Sequence, residues 1–369
     1  LYIHIPFCHR ICHYCDFVKT ANFSDGFKQE YFSKVYSELC DWIQALGGLK
    51  IKSVFIGGGT PSMFSSEYTE LLNLISEHCS SGAEITLEAN PNDINSHRLD
   101  TWRSLGINRV SLGVQTFDER GLQVLTREHD RTEAIQAIEL AKKYFDNVNV
   151  DLIYGWGGQT TDQWAEDLQL IRKLEPTHAS LYLLTYSGKT PFARLQRAGK
   201  IGQEKSKTLE DFYLRACETM HAAGYDHEEV SNWSKKGFSC QHNWIYWQME
   251  PYLAIGSGAH GFLNRGAIGI RYSYPPSLLG FIRSPSVELD VRTHDQWLME
   301  YIATSLRTNV GVSLSLITEK VGMVFKPSLN VQKGIDEEMV GFCENHLILT
   351  EKEWFREHAW AFEVYQCFS

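Results

Sequence analysis

Long apolar runs are missing from this 369-residue chain. The longest are short and broken by glycine or charge, well under the roughly 20 residues a membrane helix needs, so no transmembrane segment is expected. An excess of basic residues is missing as well. Asp and Glu number 45 against 35 Lys and Arg, for a formal net charge of −10. No nucleic-acid partner is expected, because such a partner calls for a basic face. The first residues, Leu1-Tyr2-Ile3-His4-Ile5, read as a strand and not as a secretory leader. Leu1 is not an initiator methionine, so a few residues are expected to precede it. Nine cysteines without a leader indicate a reducing compartment, here the cytoplasm. Solenoid-period repeats and low-complexity tracts are also lacking. What remains has the composition of an ordinary globular protein, 43% hydrophobic and 22% charged.

The first two thirds repeat a single unit of short apolar run, loop and helical pattern. Strands are expected at Tyr2–Ile5, Ser53–Ile56, Glu84–Glu88, Arg109–Leu112, Val148–Ile153 and Ala179–Leu183, each read as buried on both faces. Between the first two, Phe32, Val35, Tyr36, Leu39, Ile43 and Leu46 recur at helical spacing. Thr132–Tyr144 and Asp162–Leu174 read as helices with Thr132 and Asp162 as N-caps. Six strand–helix alternations predict an α/β fold: a parallel sheet with outer helices that right-handed crossovers curl into a barrel or part of one. After residue 205 the pattern changes. Lys207–Ala222 reads as a helix, Tyr225–Val230 as a strand, and an aromatic, Gly-rich stretch runs from Asn232 to Gly261. Pro275-Pro276 marks a turn or linker. Three regions are expected: 1–205, the barrel; 206–285, its extension; and 286–369, a small helical domain. In the last, Asp295–Leu306, Leu314–Val321 and Ile335–Glu344 read as helices and Leu347–Thr350 as a strand, a winged-helix-like order.

Three of the nine cysteines stand together, Cys8, Cys12 and Cys15, in a C-x3-C-x2-C spacing directly after the first strand. Three thiolates on one tight loop can hold three irons of a cubane cluster, leaving the fourth iron open to a chelating small molecule. Zinc is the competing reading, with His9, His13 or Asp16 as fourth ligand. The other six cysteines, Cys40, Cys79, Cys217, Cys240, Cys343 and Cys367, are scattered and read as small hydrophobes. Gly57-Gly58-Gly59-Thr60-Pro61 follows the second strand, where glycines let backbone N–H groups approach a ligand. It lacks the G-x-G-x-x-G spacing of a dinucleotide loop. Glu88 and Gln115 follow the third and fourth strands and Asp151 lies in the fifth. Strand C-termini of a parallel barrel face one mouth, so these segments converge by topology. Taken singly, Gln115 and Asp151 read equally well as satisfied buried polar residues.

Tyr2–Cys8, the cysteine trio, Gly57–Ser62, Glu88-Ala89-Asn90-Pro91, Ser111–Gln115, Asp151–Gly155 and Ala254–Gly261 together resemble the oxygen-independent coproporphyrinogen III oxidase family of radical-SAM proteins. The resemblance covers nearly the whole chain in motif order. It implies an incomplete (β/α)6 radical-SAM barrel with a C-terminal helical domain. It also implies a [4Fe–4S] cluster on Cys8, Cys12 and Cys15, and S-adenosylmethionine contacts at Tyr2, Tyr14, Gly58, Gly59, Thr60, Glu88, Gln115, Arg127, Asp151 and Thr185. In such proteins the cluster reduces the sulfonium and the resulting radical abstracts hydrogen.

That family has two branches. The oxidase branch carries a further cysteine two residues after the third, where this chain has Phe17. The other branch resembles the haem chaperones of the HemW type, marked by H-N-x-x-Y-W, which stands here as His242-Asn243-Trp244-Ile245-Tyr246-Trp247. This second resemblance implies haem as a ligand and an apo-haemoprotein as its acceptor, with any membrane contact peripheral and made through that acceptor. It names His242 as axial ligand to the haem iron, with His260 as second candidate. The alternative reading is the oxidase itself, decarboxylating a tetrapyrrole. Trp156 stands where family members have Leu-Pro, leaving the shape of the 155–159 loop open.

Overall fold

The architecture comes from a computed structural model that describes residues 1–368, apart from Ser187, Lys189, Lys200, Gln203 and 264–268. Six parallel strands build the centre: β1 (Tyr2–Ile5), β2 (Ile51–Gly58), β3 (Cys79–Ala89), β4 (Arg109–Gln115), β5 (Asn147–Tyr154) and β6 (His178–Leu183). The helices that return the chain between them are α1 (Asp25–Ala45), α2 (Thr69–Ser76), α3 (Ser96–Ser104), α4 (Glu119–Val124), α5 (Arg131–Tyr144) and α6 (Thr161–Leu174). All six strands expected from the sequence are present, and the sheet order follows the chain order. On α1, Phe32, Val35 and Leu39 are buried as the helical spacing predicts, while Leu46 lies past the helix end and is exposed. The caps of α5 and α6 sit two residues earlier than expected. Asp130 and Thr160 each complete a capping box, with Glu133 and Gln163 returning a bond to the cap N–H.

Residues after 190 form α7 (Pro191–Arg197), α8 (Ser206–Ala222), β7 (Asp226–Glu229), β8 (Asn232–Ser234), α9 (Gln241–Trp247) and β9 (Ala254–Ile255). Their strands extend both edges of the same sheet. β8 pairs antiparallel with β6 and β7 with β8, while β9 pairs parallel with β1. The nine-stranded order β7-β8-β6-β5-β4-β3-β2-β1-β9 is open, so the barrel is incomplete. The core carries Val54, Ile56, Leu87, Val110, Leu112, Val148 and Val150 on the outward face of the strands, under the helices.

A second sheet follows, made of β10 (His260–Leu263), β11 (Ile270–Ser273) and β12 (Glu288–Val291), with α10 (Leu278–Arg283) between the last two. The C-terminal unit runs α11 (His294–Ser305), β13 (Val312–Ser313), α12 (Leu314–Val321), α13 (Leu329–Asp336), β14 (Val340–Cys343), β15 (His346–Leu349) and α14 (Glu357–Tyr365). Helix, strand, two helices and a hairpin is a winged-helix order. One expectation fails here: Ile335–Glu344 is not a helix. Its helix is α13, which ends at Asp336, and Val340–Cys343 pairs antiparallel with β15 across a turn in which Glu344 takes a positive φ of 53°. Among the described residues no helix is long and apolar enough to cross a membrane.

Candidate functional site

The strands alternate in a way their apolar average conceals. Arg109, Ser111 and Gly113 of β4, Asn149, Asp151 and Ile153 of β5, and Ser180 and Tyr182 of β6 all face one cavity of about 420 Å³. The same cavity is lined by Cys8, Cys12, Tyr14 and Cys15 from the loop after β1, and by Gly58, Gly59 and Thr60 after β2. Glu88, Gln115, Arg127 and Thr185 complete the set expected from the sequence. Tyr2 is not among the lining residues. Its hydroxyl meets His4 Nδ1 at 2.9 Å and its ring lies beside Phe55, which does line the cavity.

The cysteine loop is held from below. Cys8 N–H donates to Thr20 O at 2.9 Å, His13 N–H to Thr126 Oγ1 at 3.0 Å, and Lys19 Nζ to Cys15 O at 2.7 Å. Gly59 is required by this packing, since a Cβ there would lie 2.5 Å from Phe7 O and 2.9 Å from Cys8 Sγ. Gly258, in the 254–261 loop, permits a similar approach to Val18 just beyond the last cysteine. Burial pushes the Cys8 thiol up to about 11, against a hydrogen bond with Thr60 that lowers it. His9, one proposed fourth zinc ligand, is turned to Asp93 Oδ1 at 3.2 Å. That candidate ligand is thus already engaged with a carboxylate.

Facing the loop, Arg127 donates from Nη2 to Asn90 Oδ1 at 2.6 Å and to Gly113 O at 2.7 Å, and from Nη1 to Cys12 Sγ at 3.4 Å. Its Nε is buried without a partner. Glu88 accepts Gly58 N–H at 2.8 Å, and burial raises its carboxyl to about 7, offset in part by that bond and reinforced by Asp151. Asp151 accepts from Ser111 Oγ at 3.0 Å and Asn149 Nδ2 at 2.7 Å, and burial raises it too. Gln115 (φ 74°) and Thr126 (φ 57°) are non-glycine residues in the left-handed region beside the cavity. Gln115 also marks a register shift in β4. Strain of this kind collects at ligand sites.

The H-N-x-x-Y-W segment forms α9, and its parts point to different places. Glu84 accepts the N–H groups of Gln241 and His242, at 3.2 and 3.1 Å, and so caps the helix. Asn243 and Cys240 line the main cavity. His242 does not. It is 1% exposed, with Nδ1 at 2.8 Å from Ser53 Oγ and Nε2 at 2.7 Å from Tyr246 Oη. Both ring nitrogens are thus engaged, and burial pulls the imidazole well below its ordinary value. This conformation does not present His242 as a ligand to haem iron. His260 is exposed and paired in β10 against Ser273, away from the cavity lining. Trp244 and Trp247 line a groove of about 400 Å³ against the C-terminal unit, with Tyr301, Leu316 and His346 on the far side.

Several lining residues escaped the sequence reading, Arg109, Asn90, Asn149 and Cys240 among them. A period-two reading of the strands would have found the first and third. Two cysteines depart from the small-hydrophobe reading: Cys343 is exposed and Cys240 lines the cavity. Trp156 is fully buried, packed with Leu125, Ile153, Leu184 and Phe192, and so fixes the 155–159 loop from inside.

Residues 2–171 match the model of the Radical SAM superfamily. A protein of Bacillus subtilis named Heme chaperone HemW is 32% identical over 87% of this chain and 86% of its own. The Haemophilus influenzae protein of that name is 40% identical over 72% of this chain and 70% of its own. The chain belongs to the HemW family of radical SAM proteins. A relative in Bos taurus, named Radical S-adenosyl methionine domain-containing protein 1, mitochondrial, is 32% identical over 96% of this chain and 83% of its own. Among solved structures, coproporphyrinogen III oxidase (HemN) from Escherichia coli superposes with a TM-score of 0.79 at 20% identity, over 99% of this chain and 89% of that one. That likeness establishes the shared fold, incomplete barrel and C-terminal unit included.

Proposed function

We propose that this protein binds a [4Fe–4S] cluster, S-adenosylmethionine and haem, and hands the haem to an apo-haemoprotein. The observation that carries the choice of branch is Phe17, 61% exposed and lining the cavity where an oxidase would place a thiol. A phenyl ring has no proton or electron to exchange at that position. Cys8, Cys12 and Cys15 would hold the cluster, and Arg127 the carboxylate of S-adenosylmethionine through a charge-assisted bond. Asp151 and Gln115 suit its ribose hydroxyls, and Gly58, Gly59 and Thr60 let the backbone approach it. Bound there, the cluster and S-adenosylmethionine supply one-electron chemistry. The chain's own residues bind, orient and exclude water.

We assign haem to the groove beside α9. Trp244, Trp247 and His346 are among the groove's lining residues, two indoles on which a flat macrocycle can stack and an imidazole that can ligate iron. Nine free cysteines support a reducing compartment such as the cytoplasm.

Anaerobically reconstituted protein, titrated with haem and then mixed with an apo-haemoprotein, is expected to gain a Soret band and lose it to the acceptor. The same preparation given S-adenosylmethionine, a reductant and coproporphyrinogen III is expected to yield no protoporphyrinogen. Product formation there would replace this reading with the oxidase.

A further inference from the structure

Where α8 packs on β7 and on the C-terminal unit, a second set of soft and borderline donors meets. Cys217 and His221 lie one turn apart on α8, His227 on β7, and Glu351 at the start of a 3₁₀ turn (Glu351–Arg356) in the C-terminal unit. Ligand atoms of Cys217, His227 and Glu351 all lie within 4.8 Å of one another. Glu351 Oε1 is 2.8 Å from His221 Nε2 and in close contact with His227 Nδ1. None of the four lines the cysteine cavity.

We propose that Cys217, His221, His227 and Glu351 form a zinc site that clamps the C-terminal unit to the barrel. The donor set is one sulfur, two imidazole nitrogens and one carboxylate oxygen, four ligands of the kinds zinc takes tetrahedrally. A thiolate beside imidazoles disfavours magnesium and calcium, which take oxygen ligands. The surroundings are built for rigidity. Trp233 stacks on the His227 ring at 3.6 Å and 9°, Trp354 meets it edge-on at 4.6 Å, and Tyr213 Oη donates to Glu351 O at 2.9 Å. His227 is buried, whereas the His221 side chain is 50% exposed and gives the ion a route in. Three separate elements supply the ligands, so the ion would join segments more than a hundred residues apart in sequence.

The test uses full-length protein with its iron–sulfur cluster already in place, so that the N-terminal thiols are occupied. After incubation with zinc and dialysis, elemental analysis is expected to give about one zinc per chain. The zinc K-edge spectrum should show a single sulfur neighbour near 2.3 Å. Cys217→Ser should lose that sulfur shell, and His221→Ala, which removes a half-exposed ring, should lose most of the zinc, with iron content unchanged in both. A chelator should lower the melting temperature of the parent protein and leave Cys217→Ser unmoved. Protein free of zinc, or zinc with no sulfur neighbour or with several, would overturn the site and leave Glu351 as a hydrogen-bond acceptor for two histidines.

Discussion

The His242 ring of α9 and the Arg127 side chain of the cavity wall are both polar groups inside the protein, and their hydrogen bonding is completed to different degrees. Around His242 every polar atom of the ring has a partner, and the ring stacks on Phe55 at 5.2 Å. Around Arg127 the accounts do not close: Nε has no partner, and Glu88 and Asp151 are carboxyls whose burial disfavours their charge. A saturated network holds a fold together. An unsaturated one facing a void is what a ligand completes. By that standard the histidine most conspicuous in the sequence is engaged as a strut would be, and Arg127 is the one we propose as a binding group.

The largest effect should come from removing a thiol. Cys12→Ala is expected to abolish cluster retention, seen as loss of iron and of the brown absorbance near 400 nm or so typical of thiolate-ligated clusters. Full iron content in the variant would show that the trio does not act as a unit. Next is Arg127→Met. A hydrogen bond to a charged group contributes about 1.5–3 kcal/mol, so affinity for S-adenosylmethionine should fall roughly 10- to 100-fold, measured by calorimetry on cluster-loaded protein. An unchanged affinity would remove the distinction drawn above.

His242→Ala sharpens the same contrast from the other side. It leaves Ser53 and Tyr246 without their partner and should cost about 1–3 kcal/mol of stability in chemical denaturation. Haem binding, followed by Soret absorbance, should survive in His242→Ala and weaken in His346→Ala. The reverse result would return the axial role to His242. The smallest effect concerns pH. The Glu88 carboxyl is raised by burial to about 7 in the folded protein, so the native state holds a proton that the unfolded chain releases near its ordinary value. Its contribution to stability is present below that ordinary value and lost as pH rises toward about 7. Melting temperature should fall over that window, and Glu88→Gln should flatten the slope.

Much of this was legible in the residues. The six central strands and the cysteine loop follow from local patterns that tertiary context reinforces. Topology alone sends the loops after β1 and β2 to one mouth. What was hidden has definite causes. Arg109 and Asn149 sit inside strands whose other face is apolar, and averaging over both faces conceals the inward one. The α13 boundary was missed because Ile335–Glu344 is amphipathic enough for a helix, and only pairing with β15 makes its second half a strand. Histidine bonding cannot be read from spacing at all: Ser53 and His242 lie 189 residues apart.

The sheet's outermost strands have a consequence for how the protein is made. Both flanks are sealed by residues 226–255, β7 and β8 on one side and β9 on the other. A ribosome that has finished the six central strands has therefore produced a slab with two bare margins, open to pairing with any neighbouring chain. Only some seventy residues later, once β9 docks on β1, is the second margin closed. Shortened versions ending near residue 205 should be sticky and insoluble, and the cysteine loop, which leans on the 254–261 turn, would be among the last parts to settle.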